Sequence, residues 1–187
     1  MRGRIILALA ITAGVTAFVG VQFFRAADAT LSATRGNACR SLEPAALPDR
    51  FKDGQPPPFD LPDANGRRWT LEQLRGRPVL LNFWATWCPP CVEEMPALES
   101  LARKLGDRAV VLAVSTDDDW AKVKHFFRKG TALSVVLDAS AEVPKKFGTE
   151  KYPETFLIGA DGKIAHYIVN KRKWDAPQAV ECLLGLQ

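Results

Sequence analysis

The hydrophobic positions of the chain alternate between runs of strand length and stretches with helical spacing. Residues Val79–Ala85 and Ala109–Ser115 are predominantly apolar runs, typical of strands buried on both faces. Between these runs, apolar residues recur with the spacing of one helix face, at Val92, Met95, Leu98, Ala102 and Leu105. The pattern therefore predicts two parallel strands joined by a helix.

The rest of the chain beyond residue 58 continues this alternation. Phe59–Leu71 is typical of a hairpin around Asn65-Gly66, and Glu154–Val169 of a second hairpin. The other predicted elements are a helix at Trp120–Lys129, a strand at Ser134–Leu137, a helix at Ala141–Phe147 and a closing helix at Asp175–Leu186. Together they predict an α/β fold with a central mixed sheet and helices on both of its faces.

Three successive aspartates, Asp117–Asp119, precede the predicted helix that begins at Trp120. Such a run can bind a cation, but no further oxygen ligands are spaced around it. Aspartate before a helix also caps free amides and complements the helix dipole. We therefore interpret the run as a helix cap.

The chain begins with a segment long enough to cross a membrane. Residues 5–24 carry no charge and follow Arg2 and Arg4, which predicts a bilayer-spanning helix whose basic end stays in the cytoplasm. A cleaved signal peptide is the competing interpretation, with a weak cleavage pattern at residues 27–29, but its apolar region is normally shorter. We favour an uncleaved signal anchor at residues 1–25, and both interpretations export the rest of the chain.

Residues 26–58 form a separate segment of small, polar and proline residues with little periodicity. We interpret this segment as a linker and docking strap, so that the folded domain spans residues 59–187. Lys and Arg number 25 and Asp and Glu number 21, a net charge of +4. This excess is too small and too scattered to predict nucleic acid as a partner.

The candidate chemistry lies at Cys88 and Cys91, at the junction between the first long strand and the helix that follows it. Two cysteines separated by two residues form either a redox site or a metal site. A zinc site of this type needs a second ligand pair at matching spacing. The other cysteines, Cys39 and Cys182, are far from each other in the sequence and from any histidine. The pattern therefore favours a redox-active pair.

The sequence also predicts separate roles for the two sulfurs. Pro89 is tolerated in a first helical turn, so the helix should begin just after Cys88. A sulfur there faces free amides and the positive end of the helix dipole, which makes Cys88 the predicted exposed nucleophile. Cys91 lies one turn further on and should resolve a mixed disulfide formed on Cys88. The alternative is that both cysteines pack as small hydrophobic residues.

The direction of electron flow depends on how well the Cys88 thiolate is stabilised. Pro89 and Pro90 carry no N–H group, so two amide donors are missing from the first turn. A less stabilised thiolate predicts a less oxidising couple.

The segment at residues 82–98, NFWATWCPPCVEEMPAL, resembles the active-site segment of the thioredoxin superfamily, and specifically of its TlpA/ResA-like, membrane-anchored branch. Residues 152–158, YPETFLI, resemble the stretch that carries the cis-proline facing the cysteine pair. The resemblance runs from about Phe59 to Leu186. It implies a thioredoxin-like fold with an N-terminal hairpin and a central insertion, and a cis bond before Pro153. Asn82 stands where thioredoxin has a buried carboxylate, as in the ResA-like branch.

Further site residues follow from these motifs. Trp87, Tyr152 and Pro153 are predicted to line a substrate groove, and the alternative is that the two aromatic rings serve only packing. Glu94 falls one turn beyond Cys91 and is the nearest candidate in the sequence to shuttle protons for it. It matches the acidic residue that ResA-like proteins carry beside their active site. The alternative is an exposed helix glutamate like neighbouring Glu93.

Cys39 and Cys182 are predicted to form a structural disulfide. Exported proteins meet an oxidising compartment, and a bond here would pin the strap to the closing helix. The alternative places Cys182 in the core and leaves Cys39 as a free thiol. His125 and His166 belong to no spaced ligand cluster, so we expect neither to bind a metal.

The resemblance implies an exported thiol:disulfide oxidoreductase that reduces specific proteins, for example in cytochrome c or cytochrome oxidase biogenesis, with electrons from an upstream membrane donor. We expect a single-pass protein of the cell membrane, held by residues 5–24, with its catalytic domain on the periplasmic side and no cofactor or metal. The alternative is a copper-binding metallochaperone module that uses the same two cysteines. Such modules resemble this chain, but their cysteines are spaced by three residues and helped by a histidine near the cis-proline. Here the spacing is two, and no histidine lies near Pro153 in the sequence.

Overall fold

The computed structural model of the chain describes residues 18–26 and 37–187. It has two compact units, Met1–Asn37 and Ala38–Gln187. In the first unit, residues 18–26 are helical (α1). Of the helices that the structure describes, none has both the length and the apolar character needed to cross a bilayer. Most of the predicted anchor at residues 5–24, and the alternative cleavage pattern at residues 27–29, lie outside the described residues.

The second unit contains the predicted alternation of strands and helices. The strands are β1 (Asp60–Pro62), β2 (Arg68–Thr70), β3 (Val79–Trp84), β4 (Val110–Ser115), β5 (Ser134–Leu137), β6 (Glu154–Ile158) and β7 (Ile164–Val169). The helices are α2 (Leu71–Leu74), α3 (Pro89–Leu105), α4 (Trp120–Phe126), α5 (Glu142–Phe147) and α6 (Pro177–Leu184). Strands β1 and β2 form an antiparallel hairpin, and the others form one sheet in the order β5-β4-β3-β6-β7. The sheet is mixed, because β3, β4 and β5 run parallel while β6 and β7 pair antiparallel.

The central strand β3 is buried along its whole length, as its apolar run predicts. Successive side chains of a strand point to opposite faces, and those of β3 fall alternately into two hydrophobic cores. Leu98 of α3 and Leu183 of α6 belong to the core on one face. Leu74 of α2 and Phe147 of α5 belong to the core on the other. The predicted α/β fold, with helices on both faces of a mixed sheet, is therefore confirmed.

Three helices are shorter than predicted, and α5 lacks only the first predicted residue, because Ala141 is its N-cap. Helix α4 ends at Phe126 instead of Lys129, because the chain turns there and Gly130 adopts a φ of 85° that favours glycine. Helix α6 begins at Pro177, a residue suited to the first helical position, and ends at Leu184. The strand and helix predicted for the central insertion are present as β5 and α5, and β5 extends the sheet at its edge.

The strap contributes backbone pairing at the other edge of the sheet. The N–H of Ala45 donates to the carbonyl of Tyr167 over 2.8 Å, and the N–H of Ile164 donates to the carbonyl of Gly54 over 2.7 Å. Unpaired edge groups can recruit other chains. The strap therefore protects part of the β7 edge, and its residues 38–58 belong to the same compact unit as the sheet.

Candidate active site

Cys88 is the N-cap of α3, which agrees with the predicted start of this helix. Pro89 and Pro90 occupy its first two positions, and neither carries an N–H group. The first free amide of the helix is that of Cys91, and it donates to the Cys88 sulfur over 3.3 Å. The helix N-terminus therefore offers this sulfur one amide donor in the part of the chain that the structure describes.

Cys88 and Cys91 are joined in a disulfide, with their Cα atoms 5.3 Å apart. Cys88 is 5% exposed and Cys91 is 0% exposed. An exposed nucleophile is therefore too strong a description of Cys88 in this oxidised state, because its sulfur is bonded to a residue of the core. Cys88 is still the more accessible of the two, which suits it to meet a substrate while Cys91 resolves.

Two aromatic side chains lie together beside the cysteine motif. Trp87 is 60% exposed, Tyr152 is half-buried, and their ring centroids are 5.7 Å apart in an edge-to-face arrangement. The Tyr152–Pro153 peptide bond is cis, the geometry expected from the sequence. An exposed aromatic pair is suited to bind an extended chain, since it offers apolar area at little entropic cost.

Glu94 is buried, at 3% exposure, whereas neighbouring Glu93 is exposed and forms an ion pair with Lys171. The alternative interpretation of Glu94 as an exposed helix residue is therefore wrong. Oε1 of Glu94 accepts a hydrogen bond from Asn82 Nδ2 over 2.9 Å. Oε2 accepts one from Trp174 Nε1, also over 2.9 Å. Glu94 thus lies one helical turn from Cys91, and both of its carboxylate oxygens accept hydrogen bonds.

Burial raises the pKa of Glu94, because transfer from water disfavours the charged form. The hydrogen bonds from Trp174, from Asn82 and from the main chain of Arg172 lower this pKa and offset only part of the rise. A carboxylate whose pKa lies above the ordinary range is a better proton acceptor near neutral pH. Glu94 is therefore suited to take up and release a proton.

Asp117 is a site residue that sequence reasoning missed. It is fully buried, and its Oδ2 accepts from the N–H of Thr86 over 3.0 Å and from Ser115 Oγ over 2.7 Å. The hydroxyl of Thr86 also donates to Oδ1, over 2.5 Å. Thr86 precedes Trp87 and Cys88, so Asp117 holds the loop that carries them. The sequence signal was only a polar residue after a buried strand.

Cys39 and Cys182 also form a disulfide, the pairing proposed from the sequence, with Cα atoms 4.7 Å apart. It joins the strap to α6. Arg172 adds a second attachment, because its Nε donates to the carbonyl of Leu42 over 2.8 Å. Its Nη1 donates to the carbonyl of Val169 over 3.0 Å. The disulfide thus fixes the strap to α6, and the Arg172 guanidinium fixes it to the end of β7, in addition to the backbone pairing along β7.

His166 corrects the expectation that no histidine belongs to a ligand cluster. A ring nitrogen of His166 and the sulfurs of Cys39 and Cys182 lie within 4.8 Å of one another. The sequence pattern could not predict this grouping, because strand pairing and the disulfide bring together residues that are distant in the sequence. The two sulfurs are bonded to each other, so neither is a thiolate ligand in this state. Among the described residues this is the one grouping of three such side chains, and it includes neither Cys88 nor Cys91.

Comparison with known proteins agrees with this geometry. The redoxin family model matches residues 49–183. Thiol-disulfide oxidoreductase ResA of Bacillus anthracis is 34% identical over 118 residues, which cover 62% of this chain and 68% of that protein. ResA of Geobacillus thermodenitrificans is 35% identical over 130 residues, covering 68% and 75%. The exposed lipoprotein thioredoxin of Streptococcus pneumoniae superposes with a TM-score of 0.58 at 26% identity, covering 67% of this chain and 98% of that one.

Fold and chemistry thus lead to the same class, the thioredoxin-like proteins that exchange disulfides through paired cysteines. The chain belongs to the redoxin family. Within that family it is a thiol:disulfide oxidoreductase similar to ResA.

Proposed function

We propose that this protein is an exported, membrane-anchored reductant that reduces disulfides in specific periplasmic proteins. One observation carries the direction of electron flow: the N-terminus of α3 offers the Cys88 sulfur only the amide of Cys91. A thiolate with fewer donors is less stable, so the reduced pair gives up its electrons more readily.

The cysteine pair can perform the reaction in two steps. The Cys88 thiolate attacks one sulfur of the substrate disulfide and forms a mixed disulfide, and the released substrate thiolate takes a proton from solvent. Glu94 then accepts the proton of Cys91, and the Cys91 thiolate attacks the Cys88 sulfur. The second substrate sulfur leaves and takes the proton from Glu94. Two electrons have moved to the substrate, and the Cys88–Cys91 disulfide remains until a membrane dithiol donor reduces it.

The proposed location and substrates have their own support. Arg2, Arg4 and the uncharged residues 5–24 support an anchor that holds the domain on the periplasmic side. Trp87, which is 60% exposed beside Tyr152, supports binding of an extended segment of a partly unfolded protein. We propose apocytochrome c or a copper-site protein of cytochrome oxidase as the substrate class, in line with the resemblance to the TlpA/ResA-like branch.

The direction is tested by equilibrating the protein with glutathione and measuring its redox potential. We expect a strongly reducing pair, and we expect Pro90→Ala to raise the potential because it restores an amide donor near Cys88. Pro177→Ala is the matched control, since it restores an amide at the start of α6, a helix whose N-terminus carries no thiol. A pair that oxidises glutathione, or an unchanged potential in Pro90→Ala, would overturn the direction.

Substrates and location are tested together with a trapping variant of the full-length chain. Cys91→Ala should accumulate mixed disulfides on Cys88 with proteins of the cell envelope. Capture of cytoplasmic proteins alone would contradict the periplasmic assignment. Copper retained at one ion per protein after dialysis of the reduced domain would favour the metallochaperone alternative.

A further inference from the structure

Trp174, in the loop between β7 and α6, binds one particular oxygen of Glu94. Its side chain is fully buried, at 0% exposure, and its indole Nε1 donates to Oε2 over 2.9 Å. The main-chain N–H of Arg172, in the same loop, donates to the same oxygen over 3.3 Å. Both hydrogen bonds that this loop donates to Glu94 therefore go to Oε2.

Burial alone does not require this bond. Trp84 is also 0% exposed and belongs to the same hydrophobic core, yet its Nε1 has no hydrogen-bond partner in the described structure. Trp174 differs because its N–H meets a carboxylate, and hydrogen bonds to an ionised acceptor are about twice as strong as those between neutral groups. The Trp174 ring is thus held in place by its hydrogen bond to Oε2 of Glu94.

The other oxygen of Glu94, Oε1, has a partner that can change its role. Asn82 Nδ2 donates to Oε1 over 2.9 Å and to Thr155 Oγ1 over 3.0 Å. Asn82 Oδ1 is buried and has no hydrogen-bond partner in the described structure. A half-turn of the amide would present Oδ1 to Oε1, and the Thr155 hydroxyl can then donate instead of accept. Asn82 can therefore match Oε1 both as a carboxylate oxygen and as a protonated O–H.

The two oxygens consequently differ in their tolerance of a proton. An indole N–H and a backbone N–H can only donate, so a proton on Oε2 would face two donors. We propose that Trp174 is a positioning residue that keeps Oε2 of Glu94 a permanent acceptor, so that the transferable proton is carried on Oε1 against Asn82. This inference rests on the proposed role of Glu94 as the proton acceptor for Cys91.

Charged side chains also line the cavity of about 480 Å³ beside Glu94. They are Glu93 of α3, Glu43 of the strap, and Lys171, Arg172, Lys173 and Asp175 of the loop. From the strands, Asn82 and Thr155 contribute only neutral groups. Trp174→Phe leaves all of these groups in place and removes one donor that lowers the pKa of Glu94.

The test follows the resolution of a mixed disulfide between Cys88 and a small aromatic thiol as a function of pH. Trp174→Phe should move the midpoint of the Glu94-dependent step upward by about one pH unit, because a hydrogen bond to a charged group is lost. Trp84→Phe removes an equally buried indole that donates to no group among the described residues, and should leave the midpoint in place. An unmoved midpoint in Trp174→Phe, or equal shifts in both variants, would overturn the positioning role.

Glu94→Gln distinguishes this inference from the proposed function. If Glu94→Gln removes the pH-dependent step and Trp174→Phe leaves its midpoint unchanged, the positioning role of Trp174 is wrong, and proton transfer by Glu94 still stands. If the pH-dependent step persists in Glu94→Gln, Glu94 is not the proton acceptor for Cys91, and the inference about Trp174 is wrong as well. In the variant carrying both changes, Trp174→Phe should produce no further shift.

A measurement on the unaltered protein covers the case in which Trp174→Phe does not fold. The indole N–H of Trp174 should remain protected from solvent exchange on both sides of the Glu94 titration, because Oε2 accepts in both states. The side-chain amide resonances of Asn82 should shift across the same pH range. Loss of Trp174 protection on protonation of Glu94 would place the proton on Oε2 and overturn the assignment.

Discussion

The two disulfides of the domain are chemically the same, but they differ in sequence separation and surroundings, and therefore in what they do for the protein. Cys88 and Cys91 are 3 residues apart and lie at a helix N-terminus beside exposed Trp87. Cys39 and Cys182 are 143 residues apart, and both are buried where the strap meets α6. Closing a long loop removes far more entropy from the unfolded chain than closing a short one. The first pair is therefore suited to exchange and the second to stabilisation.

The titratable groups near the two pairs extend this comparison. Burial raises the pKa of Glu94, near the first pair, and lowers the pKa of His166, near the second. Both shifts favour the neutral form. A carboxyl group with a raised pKa takes up and releases a proton more readily near neutral pH, whereas a neutral imidazole offers no positive charge to stabilise a thiolate. The surroundings therefore promote exchange at one pair and not at the other.

The largest expected effect comes from removing a sulfur of the first pair. Cys88→Ser should abolish reduction of a protein disulfide, because Cys88 forms the mixed disulfide. Cys91→Ser should stop after half a turnover and accumulate that mixed disulfide, which non-reducing electrophoresis detects. Normal turnover by Cys91→Ala would contradict the assignment of roles.

Removing the second pair should affect stability instead of chemistry. Replacing Cys39 and Cys182 together by alanine should lower the free energy of unfolding in urea by up to about 5 kcal/mol, the chain-entropy value for so long a loop. The figure is an upper one, because Arg172 also holds the strap. Disulfide exchange should continue. Two free thiols in the denatured, oxidised protein would show that Cys39 and Cys182 are not bonded, and would contradict the stabilising role of this pair.

A smaller effect sharpens the first half of the comparison. Asp117→Asn places an amide NH₂ group against donors of Thr86 and Ser115, and should cost about 2 kcal/mol of unfolding free energy. It should also lower kcat/KM, because the loop that carries Cys88 loses its anchor. Asp118→Asn is the matched control, since the Asp118 side chain is 80% exposed. Equal effects of the two changes would show that Asp117 has no special role.

The Asp117–Asp119 run shows where sequence reasoning succeeds and where it ends. Capping is local, and Asp119 does accept from the N–H groups of Ala121 and Lys122, as predicted. Asp117 instead turns inward to Thr86, which lies 31 residues earlier. No local pattern distinguishes adjacent aspartates when one of them has a distant partner.

The same limit applies around Glu94. Helical periodicity placed it one turn beyond Cys91, and the apolar runs predicted the strands and the sheet around it. Its donor Trp174 lies 80 residues further along, in a loop without periodicity. Such a loop has no repeating pattern that predicts its side-chain partners. The cysteine motif and the fold were therefore predictable, while the donors that tune Glu94 were not.

The smallest effect tests the two titratable groups through stability. Because burial raises the folded-state pKa of Glu94, its stabilising contribution is present below the unfolded-state pKa and is lost as pH rises through the folded-state value. Glu94→Gln should therefore gain stability relative to the unaltered protein as pH rises, by about 1.4 kcal/mol per unit of pKa elevation. His166→Gln should gain stability relative to the unaltered protein as pH falls, because burial lowers the pKa of His166. Urea unfolding across pH measures both, and a Glu94→Gln difference that is independent of pH would show that Glu94 titrates as an ordinary glutamate.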